Sequence, residues 1–171
     1  GSSVVLTSPL NQVYENGSFT NQFTWTAVSG ATSFEFSLRE GNSFATGSIL
    51  EAQNGISTLT YQVANGLLIE GNYFWGVKAY IGTTELPYTV NELYIDETLP
   101  NLAVLSSPGD LSVQTSGTVN FTWVNGTDPG TVNAPVVSFV EVASDINFST
   151  NLDTVSVIGN STTFDLTPGA Y

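Results

Sequence analysis

Four short motifs of this chain occur twice, about a hundred residues apart. The pairs are residues 6–9 and 105–108 (Leu-Thr-Ser-Pro and Leu-Ser-Ser-Pro), 23–25 and 121–123 (Phe-Thr-Trp), Phe44 and Phe148, and Tyr73 and Tyr171. The offset is 99, 98, 104 and 98 residues in turn, while the order of the motifs stays the same. Insertions confined to loops produce this pattern when one fold is used twice.

Each copy has the sequence pattern of β-strands. Phe34, Phe36 and Leu38 alternate with polar residues, and residues 73–80 place Tyr73, Trp75, Val77 and Ala79 on one face. Alternation with a period of two predicts half-buried strands, and Gly, Asn and Pro turn signals follow at short intervals. No segment shows a comparable helical pattern. The sequence therefore predicts an all-β chain of two β-sandwiches, at residues 3–99 and 102–171, joined by an acidic linker around Pro100.

With the repeat in view, both copies resemble the fibronectin type III or immunoglobulin-like modules of bacterial surface proteins, especially those of Bacteroidetes. The residues that carry the resemblance in the first copy are 6–9 (LTSP), 23–25 (FTW), 42–44 (NSF), 71–77 (GNYFWGV) and 94–100 (YIDETLP). Glu70 stands where such modules usually have proline. The resemblance implies tandem Greek-key β-sandwiches in a secreted or surface-anchored protein, and it implies little about the ligand.

The second copy, aligned on the first, has no counterpart of residues 74–80 or 93–95. We therefore expect its sandwich to lack its last strands, on the order of 25 residues by the length of a two-strand unit. Three explanations are open: a chain cut short within the second module, two chains that share strands, or an incomplete module that accepts a strand from another chain. In each case open sheet edges make self-association through the second domain a reasonable expectation.

The amino-acid composition excludes several classes of function. The chain has no histidine and no cysteine, which removes the usual general base of hydrolases, a thiolate nucleophile and zinc-thiolate chemistry. Only Arg39 and Lys78 are basic, and the net charge of −13 argues against nucleic acid and anionic lipid as partners. The acidic residues are scattered without a pair that could serve a glycosidase. We predict that the chain is not an enzyme and holds no cofactor.

Several aromatic residues are candidates for a structural or a binding role. Trp25, Trp75 and Trp123 lie at core positions of the predicted strands. Tyr73 and Tyr171 follow a glycine by two residues, as in the tyrosine corner of Greek-key sandwiches. The tyrosines that we consider as ligand-binding candidates lie on or near the last strands of the first copy, namely Tyr80, Tyr88 and Tyr94.

A calcium site is a second possibility to test, because the linker is similar to acidic linkers that hold calcium between tandem modules. Asp96, Glu97 and Asp110 could supply hard oxygen ligands, although the sequence has no EF-hand loop.

Two functions follow from these observations. The first is a non-catalytic extracellular module that acts as a spacer or as an adhesive, interacting unit, with a protein or a glycan at the cell surface as partner and no membrane insertion of this segment. The alternative is a glycan-binding accessory protein of a polysaccharide-utilisation system. Exposed coplanar aromatic rings would favour the alternative, and buried tryptophans would favour the first.

Overall fold

A computed structural model gives the fold of the chain and describes residues 2–115 and 117–166, without the side chains of Asn151 and Leu152. Every regular element in this part of the chain is a β-strand, so the predicted all-β fold of sandwich architecture is confirmed. The described residues include no helix with the length and hydropathy that a membrane span requires. The chain divides into two compact units, of which unit 1 runs up to Thr98 and unit 2 begins at Leu99.

Unit 1 contains nine strands in two sheets. They are β1 (Leu6–Ser8), β2 (Val13–Glu15), β3 (Gln22–Trp25), β4 (Ser33–Glu40), β5 (Ser48–Ile56), β6 (Thr60–Gln62), β7 (Gly71–Ile81), β8 (Thr84–Glu85) and β9 (Thr89–Ile95). The smaller sheet has the order β1-β3-β6, and the larger has the order β2-β9-β7-β4-β5 with β8 paired to β7. All the pairs are antiparallel except β2 with β9, which run parallel.

The alternation read in the sequence places one face of β4 and β7 in the core of unit 1. Phe36, Leu38, Trp75 and Val77 have no measurable exposure. The ring of Phe23, from the smaller sheet, lies 5.0 Å from the rings of both Phe36 and Trp75, so that large aromatic groups from both sheets interlock. Burial of these surfaces supplies most of the free energy that holds the two sheets together.

Unit 2 contains five strands, which are β10 (Val104–Ser107), β11 (Thr118–Val124), β12 (Val137–Ala143), β13 (Asn151–Ile158) and β14 (Ser161–Asp165). One sheet has the order β10-β11-β14, and β12 and β13 form a separate antiparallel pair. Within the described residues, β13 is the only strand paired with β12, whereas the corresponding β4 of unit 1 is paired on both edges. That the second sandwich lacks its last strands stays a prediction.

The first strands of the two units pair in the same way. Leu6 lies opposite Trp25, and Leu105 lies opposite Trp123. In both pairs the register shifts between the leucine and the serine two positions later. That serine precedes a cis proline in both units. Gln12 and Leu111 are 99 positions apart, as Leu6 and Leu105 are, and both have positive φ angles, of 58° and 57°.

Equivalent side chains differ greatly in burial between the units. Leu6 is 8% exposed and Leu105 is 85% exposed. In unit 1, β9 lies beside β1, since the Thr89 hydroxyl donates to the carbonyl of Val4 at 2.8 Å and the Asn91 amide donates to that of Pro9 at 3.1 Å. No described strand of unit 2 takes that place, so the apolar face of its first strand stays open.

One loop departs from the predicted division at residues 99–102. Residues 130–133 belong to unit 1, although the sequence places them within the second copy. The carboxylate of Glu70 accounts for this, because it accepts hydrogen bonds from the backbone N–H groups of Thr131 and Val132, the latter at 3.2 Å.

Candidate functional site

Charged and tyrosine side chains of unit 1 lie together on the polar face of β4 and β7 and on the neighbouring residues. Glu35 on β4 lies directly opposite Lys78 on β7. Tyr80 follows Lys78 on the same face, Glu85 lies on β8, and Tyr88 precedes β9. We call Glu35, Lys78, Tyr80, Glu85 and Tyr88 the Glu35 cluster. Two of the three ligand-binding candidates, Tyr80 and Tyr88, are members of it.

Both oxygens of the Glu35 carboxylate are engaged within the cluster. Its Oε2 accepts a hydrogen bond from the Tyr80 hydroxyl at 2.7 Å and lies 3.2 Å from Lys78 Nζ, and its Oε1 accepts from the Tyr88 hydroxyl. Lys78, which is only 8% exposed, also donates to Glu85 and lies 4.8 Å from the centre of the Tyr88 ring. Three donors therefore satisfy one carboxylate, and the lysine is held by two carboxylates and an aromatic face.

The pKa values of the cluster follow from these contacts. Burial alone would raise the pKa of Glu35, but hydrogen bonds from Tyr88, Tyr80 and Lys78 outweigh it and lower the pKa. Burial alone would lower the pKa of Lys78, and its hydrogen bonds to Glu85, Tyr80 and Glu35 raise it instead. Burial and the bond to Glu35 raise the pKa of Tyr88. Glu35, Lys78 and Tyr88 thus keep their ordinary charges at neutral pH.

The second basic residue lies beside this cluster. Arg39 stacks 4.1 Å from the centre of the Phe44 ring and donates to the Phe44 carbonyl at 2.7 Å, and Phe44 contacts Tyr88 edge to face at 4.9 Å. The Phe44 ring rests on Gly76, where a Cβ atom would lie 2.9 Å from its Cζ. Gly76 is needed because only a residue without a side chain leaves room for this ring.

Tyr94, the third ligand-binding candidate, lies apart from the Glu35 cluster. It is directly opposite Tyr14 on the parallel strand β2, and the two rings stack with 4.8 Å between their centres and 28° between their planes. Tyr14 is 41% exposed. We call Tyr14 and Tyr94 the tyrosine pair. Beside the pair along the chain, Gln12 N donates to Glu92 O at 2.8 Å and Glu92 N donates to Asn11 Oδ1 at 2.8 Å, which ties the loop before β2 to β9.

The calcium candidates are divided between the units. Asp96 and Glu97 follow β9 in unit 1, and Asp110 lies in the loop after β10 in unit 2. Asp96 is nearly buried, and its Oδ1 accepts a hydrogen bond from Thr98 N at 3.3 Å. Among the residues that the structure describes, no group of three or more acidic side chains is placed to hold a metal ion.

The three tryptophans lie in the interiors of their units. Trp25, Trp75 and Trp123 are 3%, 0% and 4% exposed. The indole N–H groups of Trp25 and Trp75 have no hydrogen-bond partner, whereas that of Trp123 donates to Asn125 Oδ1 at 2.6 Å and to Ser138 Oγ at 3.0 Å.

Tyr73 has the hydrogen bonds expected of a tyrosine corner. Its hydroxyl donates to the carbonyl of Ile69 at 2.8 Å and accepts from the backbone N–H of the same residue at 3.2 Å. Tyr171 lies outside the described residues.

An apolar cleft opens between the two sheets of unit 2 along the edge of β12 that no described strand pairs with. Its volume is about 510 Å³, and its lining includes Leu105, Phe121, Trp123, Val140, Val142 and Phe148. We call this the unit 2 cleft. A second cavity of about 960 Å³ continues from Leu105 and Phe121 to the loop that follows β10. The side chains that line this cleft could be identified only in the structure.

No protein-family model and no curated protein matches the chain. Solved structures do match it. The fibronectin(III)-like modules of Clostridium thermocellum CbhA align with 97% of this chain and 80% of their own, with a TM-score of 0.58 and 11% identity. The FN1-FN3 domains of chicken CNTN1 align with 96% of this chain and 57% of their own, with a TM-score of 0.56 and 15% identity. At these identities the likeness concerns the fold alone, and the fold is that of fibronectin type III modules.

Proposed function

We propose that the chain is a non-catalytic extracellular segment of a bacterial surface or secreted protein, in which it acts as a spacer and interaction unit. The fold supports this proposal, since fibronectin type III modules commonly serve as such units. The neighbour from Clostridium thermocellum consists of fibronectin(III)-like modules of a bacterial protein. Fold alone does not establish function, so the argument must come from the side chains.

The Glu35 cluster is the observation that carries the proposal. It gathers the most reactive groups of unit 1, and each of them is bound to another. Glu35 accepts from two tyrosines and a lysine, and the Tyr88 ring lies between Phe44 and Lys78. A carboxylate that is held ionised by three donors serves the stability of the sheet better than it serves proton transfer.

The composition supports an extracellular location. Charged residues make up only 10% of the chain, so its surface is covered mainly by uncharged polar residues. The absence of cysteine and histidine leaves no thiol to be oxidised and no imidazole to titrate near neutral pH.

Two measurements test the proposal. Protease treatment of intact cells that express the natural protein should release peptides of this chain, while a cytoplasmic control protein stays intact. Purified chain should give no turnover of glycoside, ester or peptide substrates above buffer. A rate that Glu35→Gln abolishes and the matched change Glu40→Gln preserves would overturn the non-catalytic assignment, and protection of the chain in intact cells would overturn the location.

Glycan binding is the second candidate function, and the tyrosine pair favours it. Stacked tyrosines with one ring exposed present an aromatic surface on which the apolar face of a sugar ring can lie. Gln12 Nε2 donates to Glu92 Oε2 at 3.4 Å and Glu92 N donates to Asn11 Oδ1 at 2.8 Å, so amide and carboxylate groups of the kind that hydrogen-bond sugar hydroxyls lie on β9 and in the loop before β2.

The tyrosine pair can be tested on its own. Affinity electrophoresis in soluble polysaccharides should show retardation of the wild-type chain, loss of retardation in Tyr14→Ala, and retention in Tyr14→Phe, which keeps the ring. Equal mobility of all three variants in every polysaccharide would exclude this surface as a glycan site and would leave the spacer function untouched.

A further inference from the structure

The described residues contain four asparagines that are followed directly by glycine. They are Asn16, Asn54, Asn65 and Asn125. In an Asn-Gly pair the backbone nitrogen of the glycine can attack the side-chain amide of the asparagine, because glycine has no side chain to hinder the approach. The reaction requires an asparagine side chain that is free to swing toward this nitrogen. Since the local sequence is the same in all four pairs, the structure decides which of them reacts.

The side chain of Asn125 is held at three points in unit 2. Its Oδ1 accepts hydrogen bonds from Trp123 Nε1 at 2.6 Å and from Ser138 Oγ at 3.2 Å, and its Nδ2 donates to the carbonyl of Gly159 at 3.0 Å. The amide must give up these bonds before its carbonyl carbon can be attacked. Three hydrogen bonds lower the population of such an open state by on the order of a hundredfold.

Two further pairs are restrained in other ways. Asn16 Oδ1 accepts hydrogen bonds from the backbone N–H of Ser18 at 2.9 Å and from its hydroxyl at 2.6 Å, which holds the side-chain amide over Ser18. Asn54 lies within β5, whose pairing with β4 fixes the backbone on both sides of it. In both cases bonds must be lost before the asparagine can rearrange.

Asn65 and Gly66 form the middle of an open turn in unit 1. The turn is closed by a backbone hydrogen bond from Leu67 N to Ala64 O at 3.3 Å. Both middle residues are exposed, and within the described residues no hydrogen bond engages the Asn65 side chain or the Gly66 N–H. Gly66 has a φ angle of 83°, and a Cβ atom there would have no neighbour within 4 Å. This pair therefore has the least to lose when the Gly66 nitrogen approaches the amide.

We propose that Asn65 is a modification site, at which the chain converts its own asparagine to aspartate and isoaspartate. The nitrogen of Gly66 forms a bond to Asn65 Cγ, the bond from Cγ to Nδ2 breaks, and Nδ2 leaves as ammonia with the proton from Gly66. Water then opens the resulting cyclic imide at either of its carbonyl groups. The product is a carboxylate on a normal aspartate, or on an isoaspartate whose main chain is longer by one carbon atom.

The modification changes the charge of a cavity in unit 1. The turn borders a polar cavity of about 640 Å³, whose lining includes Asn21, Gln62, Asn65 and Glu97. Glu97 is the only charged residue among the described residues that line it. A carboxylate at position 65 adds a second negative charge to this lining, so the chain becomes more acidic there as it ages.

Peptide mapping by mass spectrometry tests the proposal in the full chain, incubated at mildly alkaline pH. Loss of ammonia followed by gain of water should accumulate first at Asn65, with isoaspartate among the products. Asn125 should react on the order of a hundredfold more slowly than Asn65 in the folded chain. In concentrated urea the four sites should react at similar rates, because the folded structure that distinguishes them is absent.

Two variants separate the two sites. Asn65→Gln keeps a side-chain amide but lengthens it by one carbon atom, which disfavours ring closure, so modification at this position should be lost. Ser138→Ala removes one of the bonds that hold Asn125 and should speed the reaction there by about five- to tenfold, while the rate at Asn65 stays the same. Calorimetry of both variants verifies that the chain remains folded.

Three outcomes would overturn the proposal. The first is a rate at Asn16 or Asn125 that equals the rate at Asn65 in the folded chain. The second is an order of the four rates that is the same in urea as in the folded chain, which would assign the differences to sequence alone. The third is accumulation of isoaspartate at Asn54 while Asn65 stays unmodified, which would assign the site to β5.

Discussion

The ammonium nitrogen of Lys78 lies 3.2 Å from the carboxylate of Glu35, the residue directly opposite it on the neighbouring strand. We expect Glu35→Gln to lower the free energy of unfolding of unit 1 by about 1–2 kcal/mol, since it leaves a nearly buried lysine with the exposed Glu85 as its remaining carboxylate. Urea denaturation followed by tryptophan fluorescence measures the change. The exposed Glu40→Gln, on the same strand, is the control and should change stability by less than about 0.5 kcal/mol; equal effects would show that the cluster adds nothing.

The same carboxylate should make the stability of unit 1 depend on acid pH. Hydrogen bonds lower the pKa of Glu35 in the folded state despite its burial. The stabilisation is therefore complete above the ordinary glutamate pKa of about 4.3 and is lost as the pH falls through the lower folded-state value. The stability difference between wild type and Glu35→Gln should shrink from pH 7 to pH 3. A difference that is constant across this range would contradict the assignment.

Trp25 provides a measure of the core. Its side chain is 3% exposed and its ring centre lies 5.8 Å from that of Phe34. We expect Trp25→Ala to cost about 3–5 kcal/mol, because a large cavity forms in unit 1 and no indole hydrogen bond is available to be lost. Thermal unfolding measured by calorimetry would show this, with the exposed Leu10→Ala as the control. An unchanged transition would mean that Trp25 does not belong to the core.

The hydroxyl of Tyr73 closes the turn before β7 through its two hydrogen bonds to Ile69. Tyr73→Phe keeps the buried ring and should cost about 1–2 kcal/mol, because the backbone groups of Ile69 lose their partner. Hydrogen exchange of the Ile69 amide should become faster. Tyr14→Phe, which removes a hydroxyl from an exposed ring, should leave both quantities as they are.

Gly76 and Phe44 are coupled. Gly76→Ala places a methyl group 2.9 Å from Phe44 Cζ and 3.1 Å from the carbonyl oxygen of Thr89, so we expect a loss of about 1–3 kcal/mol. In the double variant with Phe44→Ala the contact with the ring is absent. The combined loss should then be smaller than the sum of the two single losses. Additive losses would mean that the backbone contact with Thr89 alone sets the cost.

The sequence predicted the fold where the information is local. Alternation along β4 and β7 identified the buried faces that contain Phe36 and Trp75. It left Glu35 on the other face of β4, and Lys78 and Tyr80 on the other face of β7. It could not show that Glu35 lies opposite Lys78, because that register depends on how far the strands slide past each other.

The tyrosine pair could not be predicted from the sequence, for a similar reason. Tyr14 and Tyr94 are 80 residues apart and meet only because β2 pairs parallel with β9, and no periodicity in a single chain reports such a long-range pairing. Tyr94 was identified as a candidate by its place near the last strand, whereas Tyr14 carried no signal of its own.

The parallel pairing of β2 with β9 has a mechanical consequence. Tension on unit 1 pulls β2 toward its amino end and β9 toward its carboxyl end, which are opposite directions along the same line. The three register pairs from Val13 with Leu93 to Glu15 with Ile95 are then sheared together, with the flanking bonds Gln12 N to Glu92 O and Asp96 N to Glu15 O. Bonds loaded together must break together, whereas bonds peeled from one end break one by one. The short strand β2 thus holds unit 1 together as a clamp, so that the unit resists extension when tension is applied to its two ends.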